Sequence, residues 1–389
     1  MRKRKLVVAL TGIRSEYDIF FSPLKAIHEH PDLELRLIVA GAHLAPRYGM
    51  TVRQIEEDGF SIAERIESLL DSDTSSGRIK SATVELMGVV SALDRLNPDY
   101  LLVCGDREEA IVGALAGAYM NIAVAHIGGG DVVVGNVDDS VRHAVTKLSH
   151  LHFAFSKNSA DRICSMGEES WRVHLVGNPA LDRFGVLPKL SRKELSDRLH
   201  FDVTKAPVLL VIQHNISSEI ESSGLQMQTT IEAIKELGYP TLLSYPNSDA
   251  GSRDIIKVID ERARRLPNVK VYQSLPRLEF VNLLQIADVL IGNSSLGLLE
   301  APFLKLPAVN VGNRQKKREH ADNVLFVSHD KEAIKESVNM ALHDSNFLQR
   351  LNACSCPFGD GKAGQKIASV LSKTDISPVL VNKDWEFQV

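Results

Sequence analysis

The stretch from Tyr100 to His150 constrains the fold more than any other part of the chain. An apolar run, Tyr100–Cys104, stops at Gly105-Asp106-Arg107. Small and apolar residues then recur at helical spacing from Ala110 to Met120. A second apolar run, Ile122–Ile127, ends in three glycines and Asp131, and Asp138-Asp139-Ser140 heads another amphipathic segment. Continuous apolar runs of this length, separated by a helix, are those of parallel strands covered on both faces. The pattern predicts two buried strands flanking one helix, each ending in an acid-bearing loop. In an open parallel sheet those ends share the edge where ligands bind.

The alternation extends both ways. Strands are expected at Leu6–Leu10, Leu33–Ala40, His152–Phe155 and Val173–Val176, with helices at Tyr17–Glu29, Thr51–Asp58 and Thr83–Leu96. Around Gly185–Lys205 the composition turns polar and charged, as a connector would, and the pattern restarts. Strands are then expected at Val208–Ile212, Thr241–Tyr245, Val269–Tyr272, Val289–Ile291 and Ala308–Val311, with helices at Gln226–Leu237, Ser252–Arg265 and Arg277–Ala287. A chain of 389 residues exceeds one ordinary core. The reading is α/β: two doubly wound, Rossmann-like domains with a cleft between them, residues 1–184 and 185–358, followed by a tail, 359–389. The tail after Lys373 is polar and loosely patterned, with Trp385 and Phe387 expected to dock.

Composition narrows the function. A net charge of −4 offers no global basic field for nucleic acid. The basic start, MRKRKLVVALTGI, mimics a signal peptide, but its apolar run is short and Arg14-Ser15-Glu16 follows at once, so a first buried strand is expected. No apolar run approaches the roughly 20 residues of a membrane span, and the expected location is the cytoplasm. Four cysteines do not make a disulfide scaffold, and Cys354-x-Cys356 lacks a second ligand pair for a metal. After the first strand stands Thr11-Gly12-Ile13-Arg14 rather than a G-x-G-x-x-G dinucleotide fingerprint.

Several residues can carry chemistry, each beside a plainer reading. Gly292-Asn293-Ser294-Ser295 links a strand to a helix, so its backbone N–H groups and hydroxyls suit a diphosphate; simple capping by Ser294 or Ser295 is the alternative. Glu300 is either a ribose ligand or a solvated glutamate. His214, ending a strand, is either structural or a phosphate contact. Arg314 and Arg318 either clamp an anion or belong to a solvated basic run. In the first half, Arg14 sits past strand one on the same edge as Asp106 and Asp131. Asp106, Asp138 and Asp139 are either helix caps or working acids, which Arg142 and His143 can ionise or orient.

Taken together these pieces resemble the UDP-N-acetylglucosamine 2-epimerase family, and within it the hydrolysing branch that feeds sialic-acid-type sugars. The resemblance covers about residues 5 to 370. It rests on Arg14-x-Glu16-Tyr17, Gly41-x-His43-Leu44, Gly105-Asp106-Arg107, His126-Ile127-x-Gly129-Gly130, Asp138-Asp139-Ser140-x-Arg142-His143-Ala144, Gln213-His214, Pro246-Asn247-x-Asp249-Ala250-Gly251, Gly292-Asn293-Ser294-Ser295 and Asn310-x-Gly312-x-Arg314-Gln315. It implies a GT-B-type fold with the active site in the interdomain cleft, and a final helix near Gly364–Ser372 that returns to the first domain. The implied reaction is anti elimination of UDP to a 2-acetamidoglucal, then hydration to N-acetylmannosamine. Asp106 and Asp138 match the family's acids. Arg14, His214, Ser294, Ser295 and Arg314 would hold the UDP phosphates, Glu300 the ribose and the backbone of Leu275 the uracil, with His43, Arg107, Arg142, Asn247 and Gly292 completing the substrate site.

One departure stands out. Gly128 occupies a position where the family carries a polar residue, and Asp131 stands where Glu is usual. Asp131 or Asp139 is therefore expected to share the acid–base work. A glycine in place of a glutamate-sized side chain is also expected to open the sugar pocket toward a 2,4-diacetamido-2,4,6-trideoxyhexose. No cofactor or metal is expected. The expected partners are a UDP-sugar, no nucleic acid, no membrane, and further copies of the chain as a homodimer or homotetramer. Two readings from other classes compete. A GT-B glycosyltransferase would need an acceptor, and a non-catalytic binder would hold UDP-sugar without releasing UDP.

Overall fold

The structure, a computed structural model, describes residues 4–72, 74–132, 137–205, 207–246, 252–316 and 318–384. The chain divides into two compact units, Met1–Arg183 with Phe358–Val389, and Phe184–Pro357.

The first unit is built on seven strands: β1 Lys5–Thr11, β2 Leu33–Ala40, β3 Ile62–Ile66, β4 Tyr100–Cys104, β5 Ala123–Ile127, β6 Leu151–Ala154 and β7 Val173–Leu175. All pair in parallel, in the order β3-β2-β1-β4-β5-β6-β7. Every residue of β4 and β5 is buried, which is why both appear in the sequence as unbroken apolar runs. Leu10, Leu101, Val103 and Val124 form one core with Ala110, Val112, Ala114 and Ala116 of the helix Glu108–Tyr119. The order reverses between β1 and β4, so the loops after Thr11 and Cys104 open at the switch point, where open α/β sheets place ligands.

β3 was not expected. It is an edge strand, Ile-Ala-Glu-Arg-Ile, in which only Ile66 is buried; two adjacent charges dilute its apolar signal. The following helix begins at Ser75, not Thr83, with Thr74 Oγ1 accepting from the Gly77 N–H at 3.0 Å. Its polar first turns hide the helical period.

The helix Ala363–Lys373 belongs to the first unit and packs on the helix Arg14–His28. Asp182 caps it from outside: its carboxylate accepts from the Ala363 N–H at 3.0 Å and the Gly364 N–H at 2.8 Å, and Ser22 Oγ donates to it as well. Losing two charge-assisted bonds to otherwise unpaired helix amides costs about 1–3 kcal/mol. Asp182→Ala is therefore expected to lower the Tm by roughly 2–10 °C for a unit of this size, with Asp182→Asn retaining much of the loss; a melt unchanged by the alanine would show that the helix is held by packing alone. The tail beyond is less loose than expected: the buried Arg172 guanidinium donates to the carbonyls of Val379 and Leu380, each at 2.7 Å, and Lys383 pairs with Glu168 at 2.6 Å. Trp385 and Phe387 lie outside the described residues.

The second unit carries β8 Leu209–Ile212, β9 Thr241–Ser244, β10 Val269–Tyr272, β11 Val289–Gly292, β12 Ala308–Val311 and β13 Val324–Val327, all parallel, in the order β10-β9-β8-β11-β12-β13. Its switch point lies between β8 and β11. The edge strand β13 was missed, being a four-residue run from which no period can be read. The region expected to be a connector, Gly185–Lys205, contains a helix, Arg192–Leu199, opened by a complete Ser191/Glu194 capping box. Leu195 and Leu199 are buried, and Arg198 pairs with Glu279 at 2.8 Å, so the charges there lie on the outer face of a packed element. Among the described residues no helix is long and apolar enough to cross a membrane.

Candidate functional site

On the first sheet's carboxyl edge the chain turns sharply at Gly105 (φ +75°), whose N–H donates to the Ile127 carbonyl at 2.9 Å. The fully buried His126 fixes the turn from below, with Nε2 at 2.8 Å from the Gly105 carbonyl. Burial holds the His126 pKa down at about 3, so the ring is neutral and its Nε2–H donates to that carbonyl.

Asp106 is thereby presented to Arg142, with which it makes a close ion pair. Arg142 is itself buried and its Nη1 donates to the Gly128 carbonyl at 2.7 Å. Asp106 is not a helix cap: the cap position of the helix Glu108–Tyr119 is Arg107, with no side-chain capping bond. Asp138 and Asp139 lie inside the first turn of the helix Val137–Leu148. Burial raises the Asp106 pKa, Arg142 opposes it, and the charges of Asp138 and Asp131 push it higher again. The structure thus brings Asp106, Asp131, Asp138 and Arg142 into one electrostatic group. Asp139 faces His143, 3.9 Å away. A carboxyl with a raised pKa, next to a guanidinium that can stabilise its ionised form, can take up and return a proton.

Gly128 has a different reason from the one expected. Its φ is +81°, and a methyl there would meet the Phe155 ring at 3.0 Å. The position is a left-handed turn packed against an aromatic ring. Gly128→Glu would strain the backbone and cannot serve as a clean test of specificity. His43 also lies behind the edge rather than on it: it is fully buried, with Nε2 3.1 Å from Thr11 Oγ1 and Nδ1 2.7 Å from Thr51 Oγ1. A substrate contact was expected, and a polar bridge between the β1 and β2 ends stands there instead.

A second group of carboxylates, which no local pattern in the sequence marks, lies beside Asp106. Glu16, Glu85 and Glu109 are all buried. The Gly12 N–H donates to Glu16 at 3.3 Å, Ser68 Oγ donates to Glu85 at 3.1 Å, and Arg107 Nε lies 3.6 Å from Glu109. A side chain at Gly12 would overlap the Glu109 carboxyl, so this glycine makes room for an acid, not for a dinucleotide. Arg78 pairs with Glu108 and approaches Asp138 at 3.9 Å, joining the two groups. Two acids at a helix start complement the helix dipole wherever they occur, so nothing local distinguishes Glu108 and Glu109.

On the second sheet's carboxyl edge, Asn293 is the organiser. Fully buried, it accepts from the His214 N–H at 2.7 Å and donates to the His214 carbonyl at 2.8 Å. Its own carbonyl accepts from Gln315 Nε2 at 2.9 Å and Arg314 Nη1 at 3.2 Å. One amide thus places His214, Arg314 and the Ser294-Ser295 turn along a single edge. Glu300 ends the short helix Leu296–Leu299, and Leu275 precedes the helix Arg277–Ile286; both are partly buried. Arg14, by contrast, is exposed at the start of its helix, with Asp18 4.0 Å away. Asn247 lies outside the described residues. An imidazole and a guanidinium beside a tight strand-to-helix turn can receive an anion.

Two doubly wound parallel sheets in one chain, each with polar groups at its switch point, define the class: this is a GT-B-type α/β protein. Residues 25–372 match the family model described as UDP-N-acetylglucosamine 2-epimerase. A UDP-N,N'-diacetylbacillosamine 2-epimerase (hydrolyzing) of Legionella pneumophila is 35% identical over 97% of this chain and 98% of its own length. A GDP/UDP-N,N'-diacetylbacillosamine 2-epimerase (hydrolyzing) of Campylobacter jejuni is 30% identical over 84% of each. The crystal structure of a Neisseria meningitidis UDP-GlcNAc 2-epimerase bound to UDP-GlcNAc superposes with a TM-score of 0.76 at 20% identity, covering 95% of this chain and 100% of that one. The chain belongs to the UDP-N-acetylglucosamine 2-epimerase family.

Proposed function

We propose that the protein is a hydrolysing 2-epimerase of UDP-linked 2-acetamido sugars, and that its preferred substrate is a UDP-2,4-diacetamido-2,4,6-trideoxyhexose rather than UDP-N-acetylglucosamine. The observation that carries the reaction is the Asp106 carboxyl, raised in pKa beside Arg142 and within the field of Asp138 and Asp131. The two relatives named as diacetylbacillosamine epimerases support the sugar.

UDP departs first. C1–O cleavage runs ahead of proton loss, because the C2 hydrogen is weakly acidic, and the leaving diphosphate needs cations and N–H dipoles. His214, Ser294, Ser295 and Arg314 supply these along the second sheet's edge, with Arg14 as a further cation, and Glu300 and the Leu275 backbone hold ribose and uracil. One carboxylate of the Asp106/Asp138 pair removes the C2 proton, leaving a 2-acetamidoglucal. The other side of the acid group, with Asp131 or Asp139 sharing the work, returns a proton to the opposite face as water adds at C1.

Turnover in deuterated water is therefore expected to place one solvent deuterium at C2 of a free sugar with inverted C2 configuration. NMR of the product reads it directly. An unlabelled C2, or transfer of the sugar to an added acceptor, would instead point to the glycosyltransferase reading.

A further inference from the structure

Beside the acids, the first unit contains a half-open cavity of about 310 Å³. Its walls include Ser68, Leu70, Arg78, Ala82, Glu85 and Glu109. The helix Ser75–Leu96 contributes Arg78, Ser81, Ala82 and Glu85, spaced to share one face. We propose that this cavity receives an acetamido group on C4 of the sugar, and that Glu85 selects for it. The inference rests on the reaction proposed above and assigns that site its specificity pocket.

Four observations carry it. The cavity adjoins the proton-transfer group: Arg78 in its wall lies 3.9 Å from Asp138, and Arg107, also in its wall, follows Asp106 in the chain. Its volume is at the small end of the roughly 300–1,000 Å³ typical of ligand pockets, enough for a substituted part of a sugar and not for a whole nucleotide sugar. Two buried polar atoms in its wall lack hydrogen bonds: Glu85 is 3% exposed and Glu109 6%, yet Glu85 Oε1 and Glu109 Oε2 accept none among the described residues, Glu109 having only the Arg107 guanidinium at 3.6 Å. Such groups are costly unless a ligand satisfies them. Finally, the lining is chemically mixed in the way an acetamido group requires. Burial, with Glu109 nearby, pushes the Glu85 pKa up to about 8, so at neutral pH its O–H can donate to the amide carbonyl. Glu109 can accept the amide N–H, while Ala82 and Leu70 take the methyl. The carboxyl groups of Glu108 and Glu109 argue against an anion in this cavity, and the guanidinium groups of Arg78 and Arg107 argue against a cation.

A C4 hydroxyl would leave the methyl space wet and one of the two acids unmatched. The test is the ratio of kcat/KM for the diacetamido nucleotide to that for UDP-N-acetylglucosamine. Glu85→Leu is expected to lower this ratio roughly 10–100-fold, the scale for removing one partner of a buried hydrogen bond. Glu85→Gln keeps a donor and is expected to keep most of the ratio. Ala82→Leu fills the methyl space without touching the acids and is expected to lower the ratio too. Melting curves and UDP titrations accompany each variant, because a merely structural Glu85 would lower both kcat/KM values together and leave the ratio unmoved. That outcome overturns the pocket while leaving the reaction intact. Failure of the wild-type protein to turn over the diacetamido nucleotide, with UDP-N-acetylglucosamine consumed, overturns both the pocket and the proposed substrate. Failure on both nucleotides overturns the reaction itself.

Discussion

Asp106→Asn and Asp138→Asn are each expected to lower kcat by roughly 10²–10⁴, the usual contribution of a positioned general acid or base, with UDP still bound. The two variants differ in what else they disturb. Asp106 is the ionic partner of the buried Arg142, so the asparagine leaves a guanidinium with only the Gly128 carbonyl as its other described polar contact. Leaving a buried charge unpaired destabilises, by about 3–5 kcal/mol when burial is complete and by less here, because Asp106 is partly open to solvent. Asp138 sits in a first helical turn with Arg78 at 3.9 Å, and its neutralisation should hardly move the melt. A loss of rate shared by both variants, with a stability loss confined to Asp106→Asn, would separate chemistry from folding. Near-normal kcat in Asp138→Asn would remove it from the proton-transfer pair.

The second large effect is expected at Gly292. Its φ is +128°, and a methyl there would overlap the Ile212 carbonyl of the neighbouring strand. Here β8 and β11 end side by side, and Asn293 bridges to both the N–H and the carbonyl of His214. Gly292→Ala must therefore strain the backbone and also push two central strands apart. Backbone strain and overpacking cost about 1–3 kcal/mol each, so a Tm fall of roughly 5–15 °C is expected. UDP affinity should fall with it, because the His214 and Arg314 edge is built on that contact. Gly238→Ala is the control. Its φ is +72° but nothing crowds it, so only the smaller conformational cost of about 1 kcal/mol applies. Equal melts for the two variants would show that the β8–β11 contact relaxes freely.

The interior of this fold can be read from local pattern alone. A parallel strand covered on both faces must be apolar at every position, so β4 and β5 announce themselves with no reference to distant residues. The acids at their ends were legible for the same reason, since a polar residue directly after a buried strand falls on the ligand edge of the sheet. Edge strand β3 was not legible, because an edge can be half polar, and β13 was not, because four apolar residues show no period. The capping box at Ser191 and Glu194 was written locally, yet the charge around it suggested a linker.

Which groups meet depends on packing between distant segments. Asp106 and Arg142 are 36 residues apart, and their pairing follows from the neighbouring placement of β4 and β5. Glu85 and Glu109 come from two different helices and face one cavity, which no spacing in either helix could reveal. Gly128 and Gly12 are each explained by a neighbour from elsewhere in the chain, the Phe155 ring and the Glu109 carboxyl. His43 is similar: its motif placed it near the edge, but hydroxyls from two segments, Thr11 and Thr51, turned it into a support. Local patterns record what each element must bury. The chemistry of a site depends on distances between elements, and those are set when the sheet forms and the helices pack on it.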